Sequence, residues 1–504
     1  MAAQSKMVEN RGQVAVIGSG LAGLVAAWAL VNDGYDVTIL EKHDGFALAR
    51  ETILPKHKSA PTVNIPLKTF SAGYYANLFK LLNHLKIETK ILRFRYSFLR
   101  STSSPSDSHD GTDNTNNTGS APENPNHYFT FFSNFHRILP CLALNAVGAN
   151  LFALLCYLWF TLAVFLLPPR GQGFNHKTET ETLQDYSHRI HLPESFLDWY
   201  LLPLFASVST CSHADLRLCP AIYITEYRRR TLGADHRTIA DMADFQDRLT
   251  AGTRPEFYCV ATGVEPYRGH RGDKSVCVMF RKYFKGLDDE GFEYDDLCPE
   301  YMDGGWIFDH VILATGVVAA GKMCSGVGKV AEGLNEGRVR ITVEEGVKKE
   351  NENEESCSGG SEDLILMTRT DPIRGPVTST LHRHPAGINV TVSPCSGLEA
   401  EDEDKEQKPQ ADDSGNDNKE VTHLARPLPT AASHNLLLSV FDKEKKSPTE
   451  DVAPWKNGTD LIYLAGEYAS AGLPLLEACV RSGLEAAEAI GARIPFEIVR
   501  ETPF

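Results

Sequence analysis

The chain has 504 residues, enough for two or three domains or one large discontinuous pair. With 42% hydrophobic and 23% charged residues it has the balance of a globular protein, which excludes global disorder. The net charge is −16, from 50 Lys plus Arg against 66 Asp plus Glu, and this argues against the basic surface that a nucleic-acid binder needs. Two tracts, 344–363 and 401–420, each carry a net −6 and so hold −12 of that total. The rest of the chain is close to neutral.

The first twelve residues are polar and lack the apolar core of a secretory signal. Eleven cysteines, an odd number with no C-x-x-C, add to the expectation of an intracellular chain.

The run QVAVI (Gln13–Ile17) reads as a strand, and Gly18-Ser19-Gly20-Leu21-Ala22-Gly23 follows at once. A segment rich in Ala and Leu then runs to the Asn32-Asp33-Gly34 stop, and DVTIL (Asp36–Leu40) is a second strand closed by Glu41. This is a β-turn-α-β unit with G-x-G-x-x-G in its turn, the pattern of a dinucleotide site. Gly18 permits the tight turn, Gly20 leaves room for a pyrophosphate, and Gly23 lets helix and strand approach. The helix N-terminus offers free N–H groups to phosphate oxygens. Glu41 is placed to accept both hydroxyls of an adenosine ribose and would repel a 2′-phosphate, which excludes NADP there.

Residues 101–126 are mostly Ser, Thr, Asn, Asp, Gly and Pro, without apolar periodicity. They read as a disordered insertion, as do 344–363 and 397–424. From Ile138 to Pro169 no residue is charged, and 141–167 is long enough to span a bilayer. A single crossing would place Gly18 and Gly466 on opposite sides of a membrane, and no second run is long enough to return. Two readings stay open: a monotopic helix dipping into one leaflet, which is preferred, or a helix covering an apolar substrate tunnel. Attachment on the cytosolic side is therefore expected, with a soluble cytoplasmic protein as the alternative.

Further on, 257–264 and 275–280 read as a hairpin around 269–274, and FDHVILATG (308–316) as a strand and turn. Lys68, Tyr74, Tyr75, His382 and His384 are candidate polar groups, although packing roles suit them better. The His382/His384 pair has no third ligand at suitable spacing, so no metal site is expected. Near the end, LIYLA (461–465) reads as a strand. Gly466-Glu467, a short loop and a helix from Pro474 to Ile490 follow, and Ser482-Gly483 and Ala486-Ala487 allow close packing on that helix.

Together, the N-terminal GxGxxG with its acid and the C-terminal strand, Gly-acid, loop and S-G-x-x-A-A helix resemble the FAD-dependent amine oxidase superfamily. The runs NIPLKTFSAGYYANLF (64–79) and LIYLAGEYASAGLPLLEACVRSG (461–483) resemble most closely a branch of predicted NAD/FAD-binding proteins associated with cyclopropane fatty acid synthases. The resemblance covers roughly 12–100, 255–320 and 365–495.

It implies an α/β fold: a Rossmann-type FAD-binding domain assembled from 12–65, 255–330 and 455–495, with a mixed α+β substrate domain from 66–254 and 364–450. It also implies non-covalent FAD, with the pyrophosphate at Gly18 to Gly23 and the ribose at Glu41 beside Lys42. Val264 would contact adenine through its backbone, Gly466 and Glu467 the ribityl and phosphate groups, and Pro474 and Leu475 the flavin. Leu48-Ala49 stand where the family carries a glycine pair, and Asn64 where it often carries Asp. Flavin oxidation asks little acid–base chemistry of a protein, so no catalytic residue is assigned. The expected activity is dehydrogenation or oxidation of a small apolar, lipid-like substrate. The alternatives are an amine oxidase, or a flavin- or NAD-binding membrane-associated module without turnover. The sequence carries no signal of oligomeric state.

Overall fold

The computed structural model describes residues 11–50, 52–53, 63–64, 68–101, 126–132, 147–170, 180–269, 273–284, 301–345, 362–371, 375–384, 387–395, 419–441 and 455–500. Most of 101–126, 344–363 and 397–424 lies outside these. The described ends of all three tracts are strand: Ser101 and Asn126, Glu344 and Glu345, Glu362 and Asp363, and 419–424 belong to one sheet. Polar composition hides a strand when its partners lie far away in sequence.

Five strands form a parallel sheet in the order Arg254–Glu256, Asp36–Leu40, Gln13–Ile17, His310–Leu313, Ile462–Leu464. Four of them are runs of apolar residues because both faces of the sheet are covered. The helix Leu21–Asn32 follows the first strand and is buried from Leu21 to Leu30. The C-terminal helix Leu476–Ile490 crosses it closely, and a Cβ on Gly483 would stand 2.5 Å from the Ala22 carbonyl oxygen. The small residues of S-G-x-x-A-A thus have the packing role expected of them. On the other face, the antiparallel strands Cys259–Arg268, Lys274–Tyr283 and Tyr301–Phe308 contain the expected hairpin.

A second, seven-stranded sheet runs in the order Lys419–Pro427, Glu336–Glu345, Ile388–Pro394, Gly375–His384, Glu362–Asp371, Phe94–Ser101, Asn126–Phe132. Helices between residues 183 and 231 pack beside it around Phe196, Leu201 and Ile224. The fold is α/β, with a Rossmann-like parallel sheet and further sheets.

Three helices that fall within the segments assigned to the substrate domain pack elsewhere. Ala76–Leu85 and Met242–Thr250 bury Leu78, Leu81, Phe245 and Leu249 in the core around the first helix. Ala431–Phe441 buries Leu437 and Val440 against Val327 and Val330 on the parallel sheet's other side. Their apolar faces match the nearest open surface, which linear domain boundaries do not reveal.

The helix Ala76–Leu85 has no capping side chain of its own at Tyr75. Glu477 supplies the cap from the C-terminal helix. Its carboxylate accepts from the Asn77 N–H (2.9 Å), Asn77 Nδ2 (2.7 Å) and the Leu78 N–H (3.0 Å). Asn77 in turn exchanges hydrogen bonds with the backbone of Val499. Burial pushes the Glu477 carboxyl up, while these donors and Arg481 act against that shift. Replacing Glu477 by Ala leaves three buried donors without an acceptor, and about 3 kcal/mol of stability should be lost in urea unfolding. A loss under about 1 kcal/mol would show that the cap holds nothing.

His213 joins the helices to the second sheet. Its Nε2 lies 2.8 Å from Thr378 Oγ1, which lies 2.9 Å from Thr368 Oγ1. Burial, with Arg217 nearby, holds its pKa down at about 3. An unfolded histidine binds its proton near pH 6.5, so His213 contributes stability above that pH and loses it as pH falls toward 3. The expected slope from this group is about 1.4 kcal/mol per pH unit below pH ~6, and His213→Gln should remove it in a pH series of urea melts.

Candidate functional site

The loop after the first strand is shaped by what its neighbours exclude. The Gly18 N–H donates to the Leu40 carbonyl at 2.9 Å, and Gly18 takes φ +101°. A Cβ there would meet the Ala314 oxygen at 2.7 Å, and one on Gly23 would meet the Gly18 oxygen at 2.3 Å. Gly20 differs: its φ is −66°, and a Cβ would find nothing within 4 Å. The helix that starts there has no side-chain cap, so its first N–H groups face open space.

Glu41 is buried behind this loop. One carboxylate oxygen accepts from the Ser19 N–H (3.0 Å) and hydroxyl (2.6 Å). The other accepts from the His43 N–H (3.1 Å) and faces His43 Nδ1 at 3.0 Å. It therefore ties the turn after the first strand to the turn after the second. Ser19 extends the tie, because its hydroxyl also accepts from the Ala47 N–H at 2.8 Å.

From the far end of the chain, the Gly466 N–H donates to Ser482 Oγ at 3.0 Å, and that hydroxyl donates back to the Gly466 carbonyl at 2.9 Å. Glu467 forms an ion pair with Arg426 of the strand Lys419–Pro427. Leu475 is the N-cap residue of the C-terminal helix.

These loops surround one side of a cavity of about 380 Å³. Gly20, Leu21, Ala22, Ala314, Thr315, Gly316, Gly466, Glu467, Pro474 and Leu475 line that side. The opposite wall is a face of the second sheet. Tyr96, Leu364, His382 and Val390 are register partners across four strands. Two residues along, Thr380 and Val392 continue the same face, as the period of a strand requires. Leu424 extends it.

Tyrosines and Lys68 close the space between the walls. Tyr75 and Tyr227 line the cavity and share a hydrogen bond. Tyr74 packs edge-on to both, at 5.4 and 4.9 Å. Burial pushes Tyr227 up to about 12 and raises Tyr75 and Tyr96 as well, so all three remain neutral hydroxyls. Lys68 is buried and its Nζ donates to the Leu48 carbonyl at 3.3 Å.

Of the expected cofactor residues, seven line this cavity, and Gly18, Ser19, Gly23 and Glu41 form the loop beneath it. Lys42 is exposed at the surface. Val264 is buried in the core below the parallel sheet and lies outside the lining. Lys68, Tyr75 and His382 do line the cavity. Tyr74 stands behind it with its hydroxyl accepting from the Leu473 N–H at 3.2 Å, and His384 is not part of it. Among the described residues no cluster suits a metal.

Sequence reasoning missed Tyr96, Tyr227, Glu336 and Arg426. Arg426 adjoins a tract read as disordered, and the only signal was the short apolar pair Leu424-Ala425 before it. Glu336 accepts from the Val317 N–H at 3.1 Å and caps the helix there, a contact nineteen residues long.

A family profile described as an NAD(P)-binding Rossmann-like domain matches residues 16–85. The structure is similar to cyclohexylamine oxidase from Brevibacterium oxydans IH-35A, with TM-score 0.51 and 14% identity over 95% of this chain and 98% of that one. It is also similar to a triple mutant of putrescine oxidase, with TM-score 0.52 and 13% identity over 95% and 98%. An oxidoreductase from Methanosarcina mazei matches with TM-score 0.52 and 13% identity over 94% and 100%. The chain shares the fold of these proteins. Among curated proteins no match is found.

The two glycines separate stability from binding. Gly20→Val should leave the melting temperature of the ligand-free protein nearly unchanged, because its Cβ meets no atom. Gly23→Val should cost at least ~3 kcal/mol by overpacking a turn that cannot give way. Equal melting temperatures for the two variants would contradict this geometry.

Proposed function

We propose that this protein is an FAD-dependent oxidoreductase that takes hydride from an apolar, lipid-like substrate, with the flavin held non-covalently. The cradle suits the cofactor: an open space over Gly20, an uncapped helix N-terminus, and a buried acid where the ribose would lie. Both oxygens of Glu41 already carry donors, so a ribose diol would displace the Ser19 hydroxyl and the His43 ring and leave the two backbone N–H groups in place. Gly18 to Gly23 would hold the pyrophosphate, and Pro474 and Leu475 would lie against the ring system.

FAD, when bound, supplies the hydride acceptor. The chain's own residues bind and orient. The aliphatic row of Leu364, Val390, Val392 and Leu424 offers a dry wall. The buried tyrosines give neutral hydrogen-bond donors that hold their protons through the physiological range.

The observation that carries the substrate class is the composition of that half of the cavity. It contributes Lys68 and His382 but no carboxylate, since Glu336 and Glu467 sit at the helix cap and beside Arg426. An ammonium group would meet a lysine there, whereas a neutral or anionic head on an apolar chain would be accommodated. The link to cyclopropane fatty acid synthases, carried by the sequence resemblance, points the same way. The amine-oxidase reading keeps one support, the shared fold.

Purified protein should be yellow, acid precipitation should release FAD, and Gly20→Val should abolish the colour. Colourless protein that stays flavin-free when incubated with FAD sinks the proposal, and flavin retained in the acid pellet sinks non-covalent binding. Anaerobic mixing with fatty acids and phospholipids should bleach the oxidised flavin band. Bleaching by aliphatic amines alone would establish the amine oxidase, and a flavin that no substrate reduces would mark a binding module.

A further inference from the structure

The helix Val147–Leu166 has one face buried and one face bare. Ala153, Cys156, Phe160, Ala163 and Val164 pack at helical spacing into the core around Phe196 and Tyr200. On the opposite side ten large apolar side chains between Leu151 and Leu167 are each more than a third exposed, with Leu158 at 65% and Leu166 at 64%. Single exposed apolar residues are ordinary. A contiguous stripe along a helix about 30 Å long is a different matter, since extended apolar patches mark contact surfaces.

We propose that this face rests in one leaflet of a lipid bilayer. The polar side chains of the stretch decide between lipid and protein as its cover. Trp159 Nε1–H donates inward to the Ile190 carbonyl at 2.8 Å. Thr161 Oγ1 accepts from Arg228 Nη2 at 2.9 Å. The Tyr157 ring lies between Arg228 and Phe196. Every polar group from Leu151 to Leu167 is thus turned toward the protein, and the outer face presents hydrocarbon alone. A second copy or another protein would bring about one hydrogen bond per 100–200 Å², and this face has nothing to offer it.

Charge at the border agrees. Arg170 follows the helix and is exposed at the end of the stripe. Guanidinium groups at the edge of an apolar stripe suit phosphate headgroups. The helix does not cross. From Ala153 to Val164 it packs on the same body that holds the strand Asn126–Phe132 before it and the helix Leu183–Arg189 after it. The first, fourth and fifth strands of the parallel sheet, in chain positions 13–17, 310–313 and 462–464, pair in one layer on one side of any membrane. Shallow, one-leaflet attachment follows. The helix Ala221–Thr231 separates this face from the cavity, since Tyr227 lines the cavity and Arg228 touches Thr161. The proposal does not depend on the reaction.

Full-length protein should be floated with vesicles of phosphatidylcholine and, separately, of phosphatidylcholine with phosphatidylserine. The wild type should rise with both. The double variant Leu155→Asp/Leu158→Asp should lose vesicle binding at least ~tenfold with an unchanged melting temperature, because charges in hydrocarbon are strongly disfavoured. Should that variant fold poorly, Leu166→Asp near the helix end tests the same point. Wild type that stays unbound on both vesicles overturns the proposal, as does a folded variant that floats as well as the wild type. Flotation on anionic vesicles alone would assign attachment to the arginines and overturn the stripe. A wild-type dimer that the variant converts to monomer, without flotation, would show that a second copy covers the face.

Discussion

The cap that Glu477 places on the helix Ala76–Leu85 joins groups four hundred residues apart in sequence. On one side of it stand Pro474, Leu475 and Leu476 at the start of the C-terminal helix; on the other stands Tyr75, the residue before the capped helix. All four line the cavity. Together with the Tyr74 hydroxyl on the Leu473 N–H, this carboxylate fixes the distance between the tyrosine wall and the C-terminal loop. A buried carboxyl whose burial raises its pKa is an expensive way to fix a distance, and it is tolerated because the three donors it satisfies would otherwise be orphaned in the same interior.

The same economy governs the parallel sheet. Its central strand, Gln13–Ile17, pairs with Asp36–Leu40 on one side and with His310–Leu313 on the other. The crevice at the strand ends is thereby assembled from the turns at Gly18, Ala314 and Gly466. Ligand sites in open α/β sheets lie where strand order reverses, and the strand order here places one beside the first strand. The second sheet then supplies the wall that the Rossmann unit lacks.

What could be read from the sequence was local in cause. Gly18 and Gly23 carry steric roles set by atoms within the turn or just past the adjacent strand, so spacing sufficed. The C-terminal Gly466-Glu467 and the small residues of the last helix were legible as a motif, although Gly483 is set by the distant Ala22. The cavity's far wall was not. Tyr96, Leu364, His382 and Val390 meet through strand register across segments separated by long polar tracts. Each strand alone alternates weakly, and no spacing rule links them. Arg426 was hidden because its strand begins inside an acidic run. The helices Ala76–Leu85 and Met242–Thr250 were placed by sequence order with the substrate segments, whereas their apolar faces belong to the Rossmann core.

The long apolar helix shows where composition misleads and geometry corrects. Length and hydropathy alone make Val147–Leu166 a crossing helix, with a mean hydropathy of 2.0 over Gly148–Leu166. The buried row at Ala153, Cys156, Phe160 and Ala163 argues against that reading, because a helix packed from Ala153 to Val164 on the body of the protein cannot also pass through a bilayer away from it. Nor is it a core helix, since only 28% of its apolar window is buried. A helix that covered a tunnel within the protein would be apolar and enclosed on both sides. This one is enclosed on one side, and Tyr157, Trp159 and Thr161 all make their contacts on that side. The asymmetry is the content of the observation: the sequence is apolar all round, but the protein accounts for only half of it.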